Sequence, residues 1–348
     1  MAAALGRRTL GPLGAGASRA LSATACPADR PRELAAVRRW ADSATGQRSV
    51  LWDRMDARQA TLLDQTIRPH LPASYPRLPR DDLVGDVARG TPLPPAAHLV
   101  YFPSPVDEPR LSADGYLAEE APPAPFCQRV WAGGLMEFSP GNPLRVDDPA
   151  SQTKSVRDVV VKERPGADPL VLVKLAIEMH NGRGLSVVEN RDLAYMKPVD
   201  LQRKVVRHNR QPDFCHELTP TEILLFRYSA LSWNSHRIHY DAPYARDVEH
   251  HPGLLVHGPL TCTLLLQLLQ AHMPPGMTLG SFGYRAVSPL YCQHKLTLNG
   301  RWMQGVPDGA GDPAARQCEL WAATNEGGVA MKGVATVCPA MPGGGMTQ

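Results

Sequence analysis

Apolar residues along this chain change their spacing several times, and each change marks a different kind of element. RELAAVRRWADSA (32–44) and MDARQATLLDQTI (55–67) repeat them at helical intervals. From 72 to 125 the chain is dense in proline, with PLPPAAHLVYFPSP and APPAPF inside it. That composition predicts irregular chain with at most a short strand or helical turn over 98–102, and its aromatic residues suggest that it covers something. Strand signals then dominate: 127–138, 155–163, 170–180 and 184–196 are β-branched runs separated by Gly, Pro, Asn and Asp. Asn181-Gly182-Arg183-Gly184 predicts a hairpin turn.

A polar, basic linker (198–212) precedes LTPTEILLFRYSAL (218–231), where Thr219 as N-cap, Pro220 and Glu222 signal a helix start. GPLTCTLLLQLLQAHM (258–273) is apolar nearly all round, which predicts a buried helix rather than a surface one. Strand-like segments follow at 279–288, 290–303, 317–324 and 328–338, with a turn at Asn325-Glu326-Gly327-Gly328. Each half thus reads as helices followed by about four antiparallel strands, an α+β arrangement in which the first half's central helix is eroded into the proline-rich region.

Composition narrows the function. Hydrophobic residues make up 43%, charged residues 20%, and the net charge is +3, with no basic stripe interleaved with aromatics, so a nucleic-acid partner is not expected. The densest basic run, Arg203, Lys204, Arg207, His208 and Arg210, reads either as a solvated linker or as a landing site for a carrier's phosphates. Seven scattered cysteines without a C-x-x-C pair argue against a disulfide framework or a four-cysteine zinc site. No apolar run reaches the length of a membrane span. Residues 1–30 carry Arg7, Arg8, Arg19 and several hydroxyl residues with no acid before Asp29, the composition of a mitochondrial presequence, with an Ala/Gly-rich terminus lacking any address as the other reading.

Twelve histidines are present, and five of them, His236, His239, His250, His251 and His257, fall within 22 positions. A 2-His-1-carboxylate metal set from His236, His239 and Asp241 is conceivable, but H-E-x-x-H is absent and no cysteine stands at a zinc-like spacing, so no metal is expected. Proton transfer has more support. A loop rich in Asn, Ser and His follows one helix and leads to a second that begins at Gly258-Pro259, whose exposed N–H groups would stabilise developing negative charge on an oxygen. Asp241 reads first as the N-cap of a short helix at 243–247. His250 and His251 read as solvated loop residues, and His257 as packing or site lining in equal measure. No G-x-S-x-G elbow, G-x-G-x-x-G or P-loop occurs.

SALSWNSHRIHYDAPYA followed by GLLVHGPLTCTLLLQLL resembles the motif of MaoC-like, hotdog-fold hydratases and dehydratases, in the two-domain branch that contains mitochondrial 3-hydroxyacyl-thioester dehydratase and mesaconyl-C4-CoA hydratase. RVWAGGLMEF (129–138) and PLRVDDPA (143–150) extend the likeness into the first half. The resemblance implies a double hotdog and a cofactor-free hydro-lyase acting on an acyl-CoA or acyl-ACP thioester. Its domains would be a hotdog at 31–197 forming the pocket wall, a linker at 198–212, a catalytic hotdog at 213–340 and a tail at 341–348. It assigns His239 as the acid–base, the Gly258 N–H as oxyanion donor, and Asn234, where many relatives have Asp, as a positioning group. His257, Arg237, His236, Tyr240 and Arg285 are the expected substrate contacts. A mitochondrial matrix location and a homodimer or pseudo-dimeric monomer are further expectations. The competing classes are a non-catalytic thioester-binding protein and a metal-dependent lyase.

Overall fold

The computed structural model describes residues 30–164, 167–197, 205–305 and 314–341. The presequence expected at 1–30 (all but Arg30), Arg203 and Lys204 of the basic run, and all of the 341–348 tail but Met341 lie outside the described residues.

Two helices open the chain, α1 (Arg30–Ala44) and α2 (Ala57–Ile67), with strand β1 (Arg48–Arg54) between them. Asp56 starts α2 by accepting the Gln59 N–H at 2.9 Å. Strands β2 (Gln128–Phe138), β3 (Pro149–Arg164), β4 (Ala167–Asn181) and β5 (Gly184–Met196) follow. The β4–β5 hairpin closes at the expected turn, where Gly184 takes φ +111°. The second half runs β6 (Phe214–Leu218), α3 (Glu222–Leu231), α4 (Ala242–Asp247), α5 (Gly258–Ala271), β7 (Met277–Ala286), β8 (Leu296–Trp302), β9 (Arg316–Thr324) and β10 (Val329–Pro339).

The ten strands of the described residues form one antiparallel sheet in the order β1-β3-β4-β5-β2-β7-β10-β9-β8-β6. Each half contributes five strands, and the β2–β7 pair joins them. The second half wraps α5, which packs on β8 and β9 and is buried at every position from Leu260 to Leu269. Among the described residues the first half has no such helix across its sheet. There the extended segment 92–120, with a four-residue 3-10 turn at Ala97–Val100, lies over β3, β4 and β5 and leaves room beneath it.

Three local expectations change. The α3 cap is Thr221, whose Oγ1 accepts the Leu224 N–H at 3.1 Å, not Thr219: Thr221 is still extended, at φ −104° and ψ 160°, so the helix begins only at Glu222. Strands β1 and β6, not singled out from the sequence, sit at the two edges of the sheet; they have seven and five residues, and only Leu218 is buried. The 290–303 segment is strand only from Leu296, since its first residues form a loop that bridges to Leu255.

Candidate active site

The histidine loop is held in shape by its own backbone. After α3 ends, Trp233 takes φ +51°, and the Asn234 N–H returns to Ser229 O at 2.9 Å. Asn234 Oδ1 accepts the His236 N–H at 3.0 Å, a turn that fixes the carboxamide. A 3-10 turn over Arg237–His239 follows, and Asp241 Oδ1 then accepts the Tyr244 N–H at 3.0 Å to start α4, as the sequence predicts. The proline-rich segment clamps this loop from outside. The Arg237 N–H donates to Asp114 O at 2.8 Å, and Ser235 Oγ donates to Gly115 O at 2.5 Å.

His239 is buried, with Nδ1 2.9 Å from Leu255 O. A carbonyl can only accept, so Nδ1 carries the proton and Nε2 keeps its lone pair. The ring lies on that of His257, with centroids 3.6 Å apart and planes 19° from parallel, and meets His236 edge-on at 5.4 Å. Burial, reinforced by His236, lowers the His239 pKa well below the ordinary imidazole value, so the ring is neutral and able to accept a proton. His257 is equally buried, with Nε2 2.8 Å from Ser229 Oγ, and burial together with His239 depresses it in the same way.

His257 is also the N-cap position of α5, yet its side chain caps nothing there. Among the described residues the Gly258 N–H also has no hydrogen-bond partner, at the positive end of a 14-residue helix. Gly258 is required because the indole of Trp131 lies against it: a Cβ would stand 2.7 Å from Trp131 Cε3. Trp131 reaches this place through a register shift in β2 between Trp131 and Gly133, a bulge that re-aims the side chain.

The helix start divides two cavities. One, of about 100 Å³, is lined by His239, Gly258, Trp131, His251 and Ser288. The other, of about 150 Å³, is lined by Asn234, Ser232, Tyr116, Arg191 and Pro259. His239 and Gly258 thus line one cavity, and Asn234 and Pro259 the adjacent one.

Behind the loop lies a buried charged group that the sequence reading missed. His236 Nε2 stands 3.5 Å from both Asp114 Oδ2 and Glu249 Oε1. Arg129 covers the Tyr116 ring at 3.3 Å and lies 4.0 Å from Asp114. Burial, with Arg129 adding to it, lowers the His236 pKa to about 3, and burial pushes the Glu249 carboxyl up. His251 is not a solvated loop residue: it is buried, its Nε2 3.8 Å from Glu249 Oε2, because the chain after α4 folds it inward and leaves His250 outside. A second buried group joins His98, Glu189 and Arg191 on the first half's sheet. Glu189 and Arg191 share a face of β5 by strand parity, a signal present in the sequence; Asp114 sits in irregular chain and gave none.

The remaining expected contacts are not brought to the cavities. Arg237 pairs with Asp241 at 2.8 Å and lies over the Tyr244 ring. Tyr240 is half-exposed, and Arg285 points to solvent from β7, outside both cavities, because its neighbours Tyr284 and Ala286 take the inward positions. Asp241 is occupied by its cap and by Arg237, so it does not converge with His236 and His239. No group of three or more His, Cys, Asp or Glu is placed to hold a metal among the described residues.

A family model described as hydroxyacyl-thioester dehydratase type 2 matches residues 96–292. Mesaconyl-C(4)-CoA hydratase of Chloroflexus aurantiacus is 35% identical over 207 residues, covering 58% of this chain and 72% of that relative. The mitochondrial hydroxyacyl-thioester dehydratase type 2 of Schizosaccharomyces pombe is 28% identical over 278 residues, covering 72% of this chain and 88% of that protein. Among solved structures, a MaoC-like dehydratase from Phytophthora capsici superposes with TM-score 0.56 at 14% identity, covering 85% and 97% of the two chains. A Mycobacterium tuberculosis protein described as having a double hotdog fold gives TM-score 0.52 at 11% identity over 86% and 97%. These structures establish the fold: two hotdog units joined through β2 and β7.

Proposed function

The chain belongs to the hydroxyacyl-thioester dehydratase type 2 family, and from that premise we propose that this hydro-lyase works through His239, Gly258 and Asn234 on a 2-enoyl or 3-hydroxyacyl thioester. The observation that carries the reading is His239 itself: a neutral ring whose Nδ1–H is fixed on Leu255 O, leaving Nε2 as base beside the unpaired N–H of Gly258.

In dehydration Nε2 takes the proton from C2, and the C2–H electron pair moves into the thioester to give an enolate. The Gly258 N–H and the α5 dipole stabilise the enolate oxygen, a kind of contribution worth about 3–4 kcal/mol. The C3–O bond then breaks, the same proton passes from Nε2 to the departing hydroxyl, and water leaves. Hydration is the reverse. Asn234 cannot exchange a proton in the working range, so it orients the C3 oxygen only. One ring serving both carbons requires both groups on one face of the acyl chain, a syn course. The reacting carbons must lie at the divide between the two cavities, and Trp131, packed on Gly258, is the side chain that a bound thioester would displace.

The 31–197 unit acts as pocket wall and the 213–340 unit as the catalytic one, since the histidine loop and α5 both belong to the latter. The relatives in yeasts named as mitochondrial, together with the Arg-rich, acid-poor first residues, support a mitochondrial location. The carrier is CoA or acyl carrier protein, through the pantetheine arm they share. The test is loss of the conjugated-thioester absorbance when purified protein meets crotonyl-CoA, with its recovery from 3-hydroxybutyryl-CoA. A chain that catalyses neither direction is not the enzyme described.

A further inference from the structure

In the proposed reaction Asn234 holds the C3 oxygen in the second cavity and the Gly258 N–H takes the carbonyl oxygen, so the sulfur and the arm beyond it extend into the first. That first cavity has partly exposed walls at Val130 and Trp131 on β2 and at Ala286, Ser288 and Pro289 around the end of β7, and it opens between these two stretches. Ala286 and Met331, which line it, are cross-strand partners, and the next pair along the same two strands is Arg285 and Lys332. Side chains alternate along a strand, so Arg285 and Lys332 stand beside the opening on the outer face of the sheet. Both are exposed.

Two cations directly opposite each other repel, which destabilises a sheet unless an opposite charge meets them. Among the described residues none does, since neither side chain enters an ion pair. The other cross-strand neighbours are Gly133 beside Arg285 and Trp321 beside Lys332, and two residues along stand Gly283 and Val334. None of these carries a charge, and Asp192, on the far side of Gly133, pairs with neither cation. Trp321 is covered by His208, with rings 3.9 Å apart and 11° from parallel. Of the basic run that precedes β6, His208 and Arg210 are committed to Glu319, at 3.0 and 3.2 Å. A fixed pair of uncompensated cations beside the opening of a substrate cavity attracts an anion carried by what enters it.

We infer that Arg285 and Lys332 form an anion site on the outer face of the sheet that binds a phosphate of the thioester's carrier. The carrier arm leaves the first cavity past Ser288 and turns over the strand ends, so its charged part is read outside the cavity. The inference rests on the proposed reaction, which fixes the cavity that holds the sulfur. Arg285 thereby contacts the substrate at its carrier end and not at its acyl end.

The experiment measures kcat/KM of the full chain for hydration of crotonyl-CoA, crotonyl-phosphopantetheine and crotonyl-N-acetylcysteamine, the last of which has the thioester but no phosphate. Arg285→Gln/Lys332→Gln should lower kcat/KM for crotonyl-CoA by about 5- to 10-fold at low ionic strength, through KM, and leave crotonyl-N-acetylcysteamine unchanged. Added salt should raise the wild-type KM for crotonyl-CoA and move that of the variant less. Arg38→Gln/Arg39→Gln removes the same charge from exposed positions on α1 and should match wild type on every substrate. The same loss on crotonyl-phosphopantetheine supports the inference and assigns the site to the phosphate that CoA and acyl carrier protein share. A loss confined to crotonyl-CoA supports it and assigns the site to the nucleotide's phosphates. Unchanged kcat/KM for crotonyl-CoA, an equal loss on the phosphate-free thioester, or an equal loss in Arg38→Gln/Arg39→Gln would overturn the inference and leave the hydro-lyase reading intact. Wild-type protein that hydrates none of these thioesters would overturn both.

Discussion

The imidazole of His239 rests on that of His257, 3.6 Å between centroids and 19° from parallel. Two imidazolium ions could not share that geometry without strong repulsion in a buried site. Burial depresses both rings, aided by His236 at His239 and by His239 at His257. Catalysis as written needs neutral His239, so kcat/KM should stay level as pH falls through 6.5, the ordinary imidazole value, and decline only below it. A pH–rate profile in overlapping buffers checks this, and an acid limb centred at or above 6.5 contradicts it.

His236 makes folding itself sensitive to acid. The folded protein binds that proton only near pH 3, whereas the unfolded chain binds it near 6.5. Between those values the unfolded state takes up more protons, so this stabilising contribution is intact above 6.5 and is lost as pH falls toward 3. Glu249, raised by burial, acts in the opposite sense, so the readout is the difference between wild type and His236→Gln. Urea titrations from pH 7.5 to about 4.5 should show a shallower loss of stability in the variant.

Gly258→Ala should lower kcat by about 10- to 100-fold with the fold retained, since the new methyl meets Trp131 2.7 Å away and shifts either the indole or the N–H. Pairing it with Trp131→Leu should recover part of the rate. Steady-state kinetics on both variants decide it, and unchanged activity in Gly258→Ala would mean that the helix start does not contact the reacting group.

Gly115 and Gly46 share φ +82°, but only at Gly115 would a Cβ overlap a neighbour, the backbone carbonyl of Ser235. Gly46→Ala should therefore cost about 1 kcal/mol, the backbone penalty alone. Gly115→Ala should cost at least about 2–3 kcal/mol and also reduce activity, because it separates the proline-rich segment from the histidine loop. Chemical denaturation of the two variants side by side measures the difference.

The inner architecture was legible because period carries burial. The Leu-rich run at 258–273 could only be a buried helix, and the long β-branched runs at 155–196 could only be inner strands. The edge strands β1 and β6 were not, since they are short and, Leu218 apart, bury no residue. In the site, His239, Gly258 and the Asp241 cap were readable from local motif and capping chemistry. Arg285 could not be judged, because which face of β7 looks inward is settled by pairing with β2 and β10. Asp114, Glu249 and Arg129 converge on His236 from irregular chain, an α4 terminus and a bulged strand, so no spacing along the sequence links them. Arg191 was hidden differently: its parity with Glu189 was visible, but the cavity it faces exists only once 92–120 replaces a helix.

The central claim is that His239 carries the proton in both directions. His239→Gln keeps a hydrogen-bonding side chain of similar reach but cannot take a proton in the working range. Hydration of crotonyl-CoA by purified His239→Gln, with folding verified by circular dichroism, should fall about 1,000-fold in kcat/KM relative to wild type. A folded variant that hydrates within about tenfold of wild type would contradict the account.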